Sequence, residues 1–509
     1  MRKMLVFIMV VGLFTLSACS SMDEGYMDYE PYPSDVYVEG ETYAEIVENE
    51  FIRTEDMPVS TFSTDVDTAS YANVRRMLED GYLPEPNAVR IEEMINYFDY
   101  DVDAPDEGEV INVFTEFSQA PWNDNHQLLM VGLKAEEVVF EETDGMNLVF
   151  LIDVSGSMSS SDKLPLLKRA FGLLIDNLRP KDRISIVVYA GAAGVVLEGG
   201  DSTNKNEIYD ALDDLQAGGS TAGGEGIELA YKVAERNFIE GGNNRIIIAT
   251  DGDFNVGISD VSQLEDFISE KRETGVFLSV LGFGTGNLRD DVLESLADHG
   301  NGVYFYIDSY KEAEKVFINE LGASMVTVAK DVKLQIEFNP VYVKGYRLIG
   351  YENRVLDYED FEDDEKDAGD MGAGHVVIAF YEIIPADSEE DIDEQTFDEI
   401  SELRYTGENY LDELMYLAIR YKDPNSDTSE LIEYQAYEAD YSLETSETFD
   451  FSSAVVEFGL LLRDSAYKYN ASFDEVISRA NANIGKDEFG YRDEFIELVE
   501  IAERLKARQ

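Results

Sequence analysis

"NLVFLIDVSGSMSS", residues 147–160, sets an unbroken apolar run against an aspartate followed by a hydroxyl at every second position. The run "LVFLI" at 148–152 is too short for a helix and apolar on both alternate faces, as expected of a strand buried from both sides. Four more runs share this character: "RISIVVYA" (183–190), "RIIIAT" (245–250), "VFLSVLGFG" (276–284) and "GVYFYI" (302–307). Amphipathic stretches at roughly 162–178, 205–216, 224–238, 260–274, 289–298 and 310–322 separate them. Wholly apolar strands alternating with helices predict a parallel sheet covered by helices on both faces. In such sheets ligands gather beyond the carboxyl ends of the strands, which is where the first run reaches Asp153.

Along an extended loop, residues i, i+2 and i+4 point to one side. Asp153, Ser155 and Ser157 are therefore predicted to converge, with Gly156 allowing a sharp turn. Two further strand-end loops add oxygen: "AGGSTAGG" carries Thr221, and "ATDGD" carries Asp251. Carboxylates and hydroxyls without histidine or thiol suit magnesium, manganese or calcium rather than zinc or copper. Two aspartates offset the charge of a dication, and an octahedral ion keeps a position for water or for an acidic side chain of a protein partner.

The set Asp153-x-Ser155-x-Ser157, Thr221 and Asp251 resembles the metal-ion-dependent adhesion site (MIDAS) of von Willebrand factor type A (VWA) domains, in matching order and on matching loops. The resemblance implies a Rossmann-like fold over residues 145–325. It further implies that Asp153, Ser155, Ser157 and Thr221 hold a divalent cation, Mg2+ first among the candidates, while Asp251 commonly acts through water. Which ligands are direct stays open. "STFSTDVDTASYANVRRML", "VRIEEMINYF" and "FGLLLRDSAYK" resemble the flanks of bacterial lipoproteins that carry this domain, which extends the match from residue 60 to the C-terminus. The implied role is metal-dependent binding of a protein outside the cytoplasm, without catalysis.

The N-terminus fits that setting. Arg2 and Lys3 precede an apolar stretch at 4–14, too short for the roughly 20 residues that span a bilayer. Leu16-Ser17-Ala18-Cys19 resembles the bacterial lipobox, which implies a signal peptide over 1–19, lipidation of Cys19 and a membrane anchor in the cell envelope. Cys19 is the only cysteine, so the mature chain forms no internal disulfide. With 106 acidic against 39 basic residues, a net charge of −67 excludes general attraction to nucleic acid or anionic lipid. Salt would screen the resulting self-repulsion, which suggests a saline habitat.

Residues 20–58, acidic and almost without bases, read as a disordered tether. Helical and then alternating patterns over 59–144, and alternating strands over 326–445, predict a β-sandwich built from both flanks with the VWA domain inserted. Residues 446–509 turn helical and read as core-packing helices. Asp65 and Asp67 are expected to cap or turn, and "DYEDFEDDEKDAGD" (357–370) to form a solvated loop. The chain is thus expected to be α/β.

Rival chemistries fit poorly. "GGSTAGGEG" lacks the G-x-x-x-x-G-K-[ST] order of a phosphate loop. Ser155 and Ser157 lie outside any G-x-S-x-G motif, and His126, His299 and His375 sit in segments with no nucleophile partner. "DGDFNVG" opens like an EF-hand, but Val256 and Ser262 occupy its glycine and glutamate positions, leaving Asp253 to orient the metal site indirectly. A metal that only ties loops together and a metal-assisted hydrolase remain the alternatives to adhesion.

Overall fold

The computed structural model describes residues 40–139, 143–219, 223–252, 261–320, 326–397, 400, 403–405, 412–424, 426, 428 and onward to 508. Cys19, Thr221 and Asp253 lie outside the described residues. The strand Met146–Asp153 stands at the centre of a six-stranded sheet, parallel to Arg183–Tyr189 on one side and Asn243–Thr250 on the other. Phe277–Phe283 and Tyr304–Ile307 extend it in parallel, and Ala193–Asp201 closes the far edge in antiparallel. That last strand, rich in glycine and half exposed, has too little apolar signal to be read in advance.

Alternation along the central strand serves two cores. Leu148, Phe150 and Ile152 meet Leu167 and Phe171 on one face, whereas Val149 and Leu151 meet Ile227, Ala230 and Leu293 on the other. A strand buried twice must be apolar at every position, which is why it reads as a continuous run. Gly226 answers for part of the glycine-rich stretch: a Cβ there would come within 2.9 Å of Tyr189 Cβ, so the glycine lets the helix Gly223–Arg236 lie close to the sheet.

Both flanks do build a sandwich. One sheet orders Ile52–Arg53, Val343–Ile349, Val376–Pro385, Gln127–Ala135 and Ile111–Gln119, all antiparallel. The other runs Val355–Leu356, Val59–Ser63, Thr327–Phe338, Glu413–Lys422 and Ser429–Tyr437, with Gly369–Gly372 added on Thr327–Phe338. Each sheet thus mixes chain from before and after the VWA segment. Leu129, Val131 and Leu133 face the second sheet with Phe62, Leu334 and Phe338. Leu128 and Met130 face the other way, onto Phe449, Val456 and Phe495 of the C-terminal helices Glu447–Arg463 and Tyr491–Lys506. Among the described residues no helix is long and apolar enough to cross a membrane.

Three local expectations change. Residues 40–58 are docked, not free: Thr42 N donates to the Leu288 carbonyl at 2.9 Å, Glu41 pairs with Arg76, and Ile52 lies opposite Tyr346. Their acids find arginines and backbone donors that composition does not reveal. Asp67 caps a sheet edge, accepting 2.7 Å from Tyr304 N, while Asp65 pairs with Arg354. The acidic run at 357–370 is only partly solvated; Phe361 and Asp370 are drawn inward, and Asp367 pairs with Arg272.

Buried arginines fasten the inserted domain. From the helix Ala69–Glu79, Arg75 donates to Asp308 at 2.6 and 2.7 Å, to Glu312 at 2.7 Å and to Glu494 at 3.0 Å, tying the N-terminal flank to the VWA segment and the last helix. Arg90 reaches Asp290 at 2.6 Å in the same manner. Replacing Arg75 with Met strands these carboxylates, so the unfolding free energy should fall by about 3–5 kcal/mol, read from urea denaturation. Within the sandwich, His126 stands between Glu382 (2.7 Å) and Glu390 (2.9 Å). Burial opposes charge on the ring, but the two carboxylates outweigh it and hold the imidazolium above its ordinary range. The folded value exceeds the unfolded one, so this contribution is complete below about pH 6.5 and fades as pH rises through the raised value. The stability gap between wild type and His126→Gln should therefore be about 2 kcal/mol below pH 6 and shrink on alkalinisation, as pH-resolved melting would record.

Candidate metal centre

At the carboxyl end of the central strand the chain does not stay extended. Ser155 has φ −63° and ψ 168°, and Gly156–Ser159 then forms a 3-10 turn. The convergence of Asp153, Ser155 and Ser157 comes from that turn and its hydrogen bonds, not from a straight loop. Asp153 Oδ1 accepts from Ser155 N at 2.7 Å, and Ser155 Oγ lies 2.8 Å from Ser157 Oγ. Asp153 is fully buried and Ser157 exposed, so the carboxylate forms the floor of a cup and the hydroxyl its rim.

The neighbouring loops come to the same place. Gly218 N donates to the Val154 carbonyl at 2.7 Å and Gly156 N to the Gly219 carbonyl at 3.2 Å, fixing the loop that leads towards Thr221 against the aspartate–serine turn. On the adjacent strand, Thr250 Oγ1 donates to Asp153 Oδ2 at 3.2 Å. Asp251 follows, also fully buried, with Gly252 in the left-handed region (φ +91°) beside Arg289, where a Cβ would come within 2.6 Å of the Arg289 nitrogen. Asp153, Ser155, Ser157 and Asp251 thus share one site; Thr221 lies outside the described residues.

The electrostatics separate the two aspartates. Burial pushes the Asp153 carboxyl up to about 6, the charge of Asp251 adds to this, and hydrogen bonds from Ser155 and Thr250 oppose it. Burial acts on Asp251 as well, but hydrogen bonds from Lys163, Asn287 and Ser157, with the Lys163 charge, hold it below the usual carboxylate range. Lys163 Nζ donates to Asp251 Oδ2 and to Asn287 Oδ1, each at 2.9 Å. Its stem crosses Gly284, where a Cβ would sit 2.1 Å from Lys163 Cε.

Sequence reasoning missed Lys163, Asn287 and Thr250. Lys163 is a lone base before the helix Leu164–Asn177, and Asn287 sits in "GFGTGNLR", a strand-end loop whose glycines marked a turn. The donor set fits a hard dication: two carboxylates and two hydroxyls, all oxygen, with the floor carboxylate strained by burial. Among the described residues no three His, Cys, Asp or Glu side chains form a group that could hold a metal by themselves, as expected where hydroxyls supply half of the donors. The histidines lie elsewhere: His126 between its glutamates, His299 against the Ser295 carbonyl, and His375 beside the cavity under the VWA sheet.

Comparisons with known proteins follow this division of the chain. Residues 147–319 match the family described as von Willebrand factor type A domain, residues 37–130 that described as von Willebrand factor, and residues 323–505 that described as "Uncharacterized protein YfbK, C-terminal". "Uncharacterized protein YfbK" of Escherichia coli (strain K12) is 43% identical over 474 residues, covering 91% of this chain and 81% of the relative. Among solved structures, a von Willebrand factor type A protein from Catenulispora acidiphila is 15% identical, with TM-score 0.42, covering 79% of this chain and 91% of that one. A mussel byssus protein, proximal thread matrix protein 1 with a zinc-occupied MIDAS motif, is 22% identical, with TM-score 0.30, covering 36% and 46%.

Lys163 makes a specific prediction. Lys163→Met leaves Asp251 buried without its cation, so the metal-free protein should lose about 3–5 kcal/mol of stability. Millimolar MgCl2 should restore more of the melting temperature in this variant than in wild type, by thermal denaturation with and without EDTA.

Proposed function

Because the chain belongs to the YfbK family and carries a von Willebrand factor type A domain, a fold that points to a protein-interaction or adhesion-type role, we propose that it binds a protein partner through a divalent cation. The cation would be Mg2+, with Mn2+ or Ca2+ able to substitute, held by Asp153, Ser155, Ser157, Thr221 and Asp251. The protein is proposed to act in the cell envelope, outside the cytoplasm and anchored by lipid on Cys19, as a binding protein and not an enzyme.

The observation that carries this reading is the uneven charge of the two aspartates. Lys163 already pairs with Asp251, which leaves Asp153, among the described residues of the cup, as the carboxylate without a cationic partner. A dication bound there supplies a Lewis-acidic site with one net positive charge left over. That surplus suits a carboxylate from a partner better than a neutral or basic group. The chain's own residues do the remainder: Thr250 and the Ser155 amide orient Asp153, Lys163 and Asn287 hold Asp251 in place, and Ser157 borders the opening. With a net charge of −67 over the whole chain, an acidic partner is opposed at long range, so the local positive charge also confines attraction to this spot.

Capture of envelope proteins on the immobilised chain tests the proposal. A partner should bind in MgCl2, be released by EDTA and fail to bind Asp153→Ala, whose melting temperature should no longer respond to Mg2+. Persistence of the same capture in excess chelator would sink it.

A further inference from the structure

At the other end of the parallel sheet lies a second polar site. A cavity of about 410 Å³ separates the amino-terminal strand ends from the sandwich. Asp65, Arg245, Asp367, Asp370 and His375 contribute to its walls. Arg245 stands at the start of Asn243–Thr250, opposite Phe277, whereas Asp251 follows the far end of the same strand. The cavity and the metal centre are therefore separated by the length of the sheet.

Arg245 is 4% exposed, and its guanidinium stands 5.7 Å over the Phe277 ring. Nη1 donates to Ser279 Oγ at 2.7 Å, Nε is buried without a hydrogen-bond partner, and among the described residues no carboxylate forms an ion pair with it. Burial pushes its guanidinium down to about 10, with the charge of Asp370 opposing. Buried guanidinium groups elsewhere in this protein, such as Arg75 and Arg90, hold two or more carboxylates each. Two carboxylates lining the same cavity have the reverse surplus. Asp370 is pushed up to about 7 by burial and by Asp331, Asp367 and Asp65, against which its Oδ1 accepts a bond of 3.2 Å from Asp331 N. Asp65 is pushed up to about 6, although Arg354 stands 3.3 Å away.

We propose that this cavity binds a small zwitterion of the α-amino acid class, its carboxylate on Arg245 and its ammonium on Asp370 and Asp65. The two charges fail to meet directly, and a ligand carrying both would pair each of them. A plain anion would face the carboxylates, and a plain cation would face Arg245 together with Lys134 and Lys315, which also line the space. A metal ion is disfavoured because the carboxylates, among the described residues, do not converge on a point. The volume falls within the range of about 300–1,000 Å³ common to small-molecule sites. The site joins the VWA segment to the sandwich, and its existence does not depend on the metal reading.

Isothermal titration of the full chain with glycine, alanine, glutamate and lysine decides the matter. At least one should bind with Kd below about 1 mM. N-acetylation or amidation of that amino acid, which removes one charge at a time, should each weaken binding at least about tenfold. Arg245→Met and Asp370→Asn should do the same, while Asp153→Ala binds normally, which keeps failure here distinct from failure at the metal centre. Should Arg245→Met not fold, the conservative Asp370→Asn carries the decision. The proposal is overturned if none of the four gives heat at about 10 mM, if a blocked analogue binds as tightly as its parent, or if Asp370→Asn binds as wild type.

Discussion

Buried guanidinium–carboxylate pairing is the constraint on which this architecture rests. Arg75, Arg90 and Arg354 each leave one segment of chain and bind acids of another, so the VWA domain is held in the sandwich by charge as much as by apolar area. Such pairs recover their desolvation cost only when every donor is satisfied, which the forked guanidinium does and a lysine ammonium does less well. In a chain with 39 basic and 106 acidic residues, cations are scarce. Several of those few stand buried at junctions, and the surface is left strongly negative.

The same pairing logic divides the two ends of the parallel sheet. At the carboxyl end, Lys163 satisfies one aspartate and leaves the other open, in a cup of hydroxyls made by a tight turn. At the amino end, Arg245 and Asp370 line one cavity without forming an ion pair. The strands between them are apolar on both faces and closely packed. A dication at one end and a dipolar ligand at the other would each complete a charge balance that the folded chain leaves unfinished.

The sandwich is part of the function's frame as well as its support. Its sheets draw on chain from both sides of the VWA segment. Residues 40–42 add another attachment, with Glu41 accepting from Gly286 N and Thr42 bonding Leu288 in the loop that carries Asn287. That loop in turn orients Lys163 at the candidate metal centre.

Much of this was legible in the sequence because periodicity and strand-end chemistry are local. Five apolar runs alternating with amphipathic stretches determined a parallel sheet, and "DVSGSMSS" with "ATDGD" determined where its strand-end carboxylates and hydroxyls lie. What only the tertiary structure decided was which charges meet. Lys163 and Asp251 are 88 residues apart, Arg75 and Asp308 are 233 apart, and nothing in either neighbourhood names the other. The strand Ala193–Asp201 escaped expectation for the same reason: it is a strand because Arg183–Tyr189 offers it a hydrogen-bonding edge. Composition likewise read residues 20–58 as a disordered tether and 357–370 as a solvated loop, since an acidic segment reads as loop until a distant arginine is brought within reach of it. Local pattern sets the elements, and long-range pairing, whose free energy depends on burial, sets the sites.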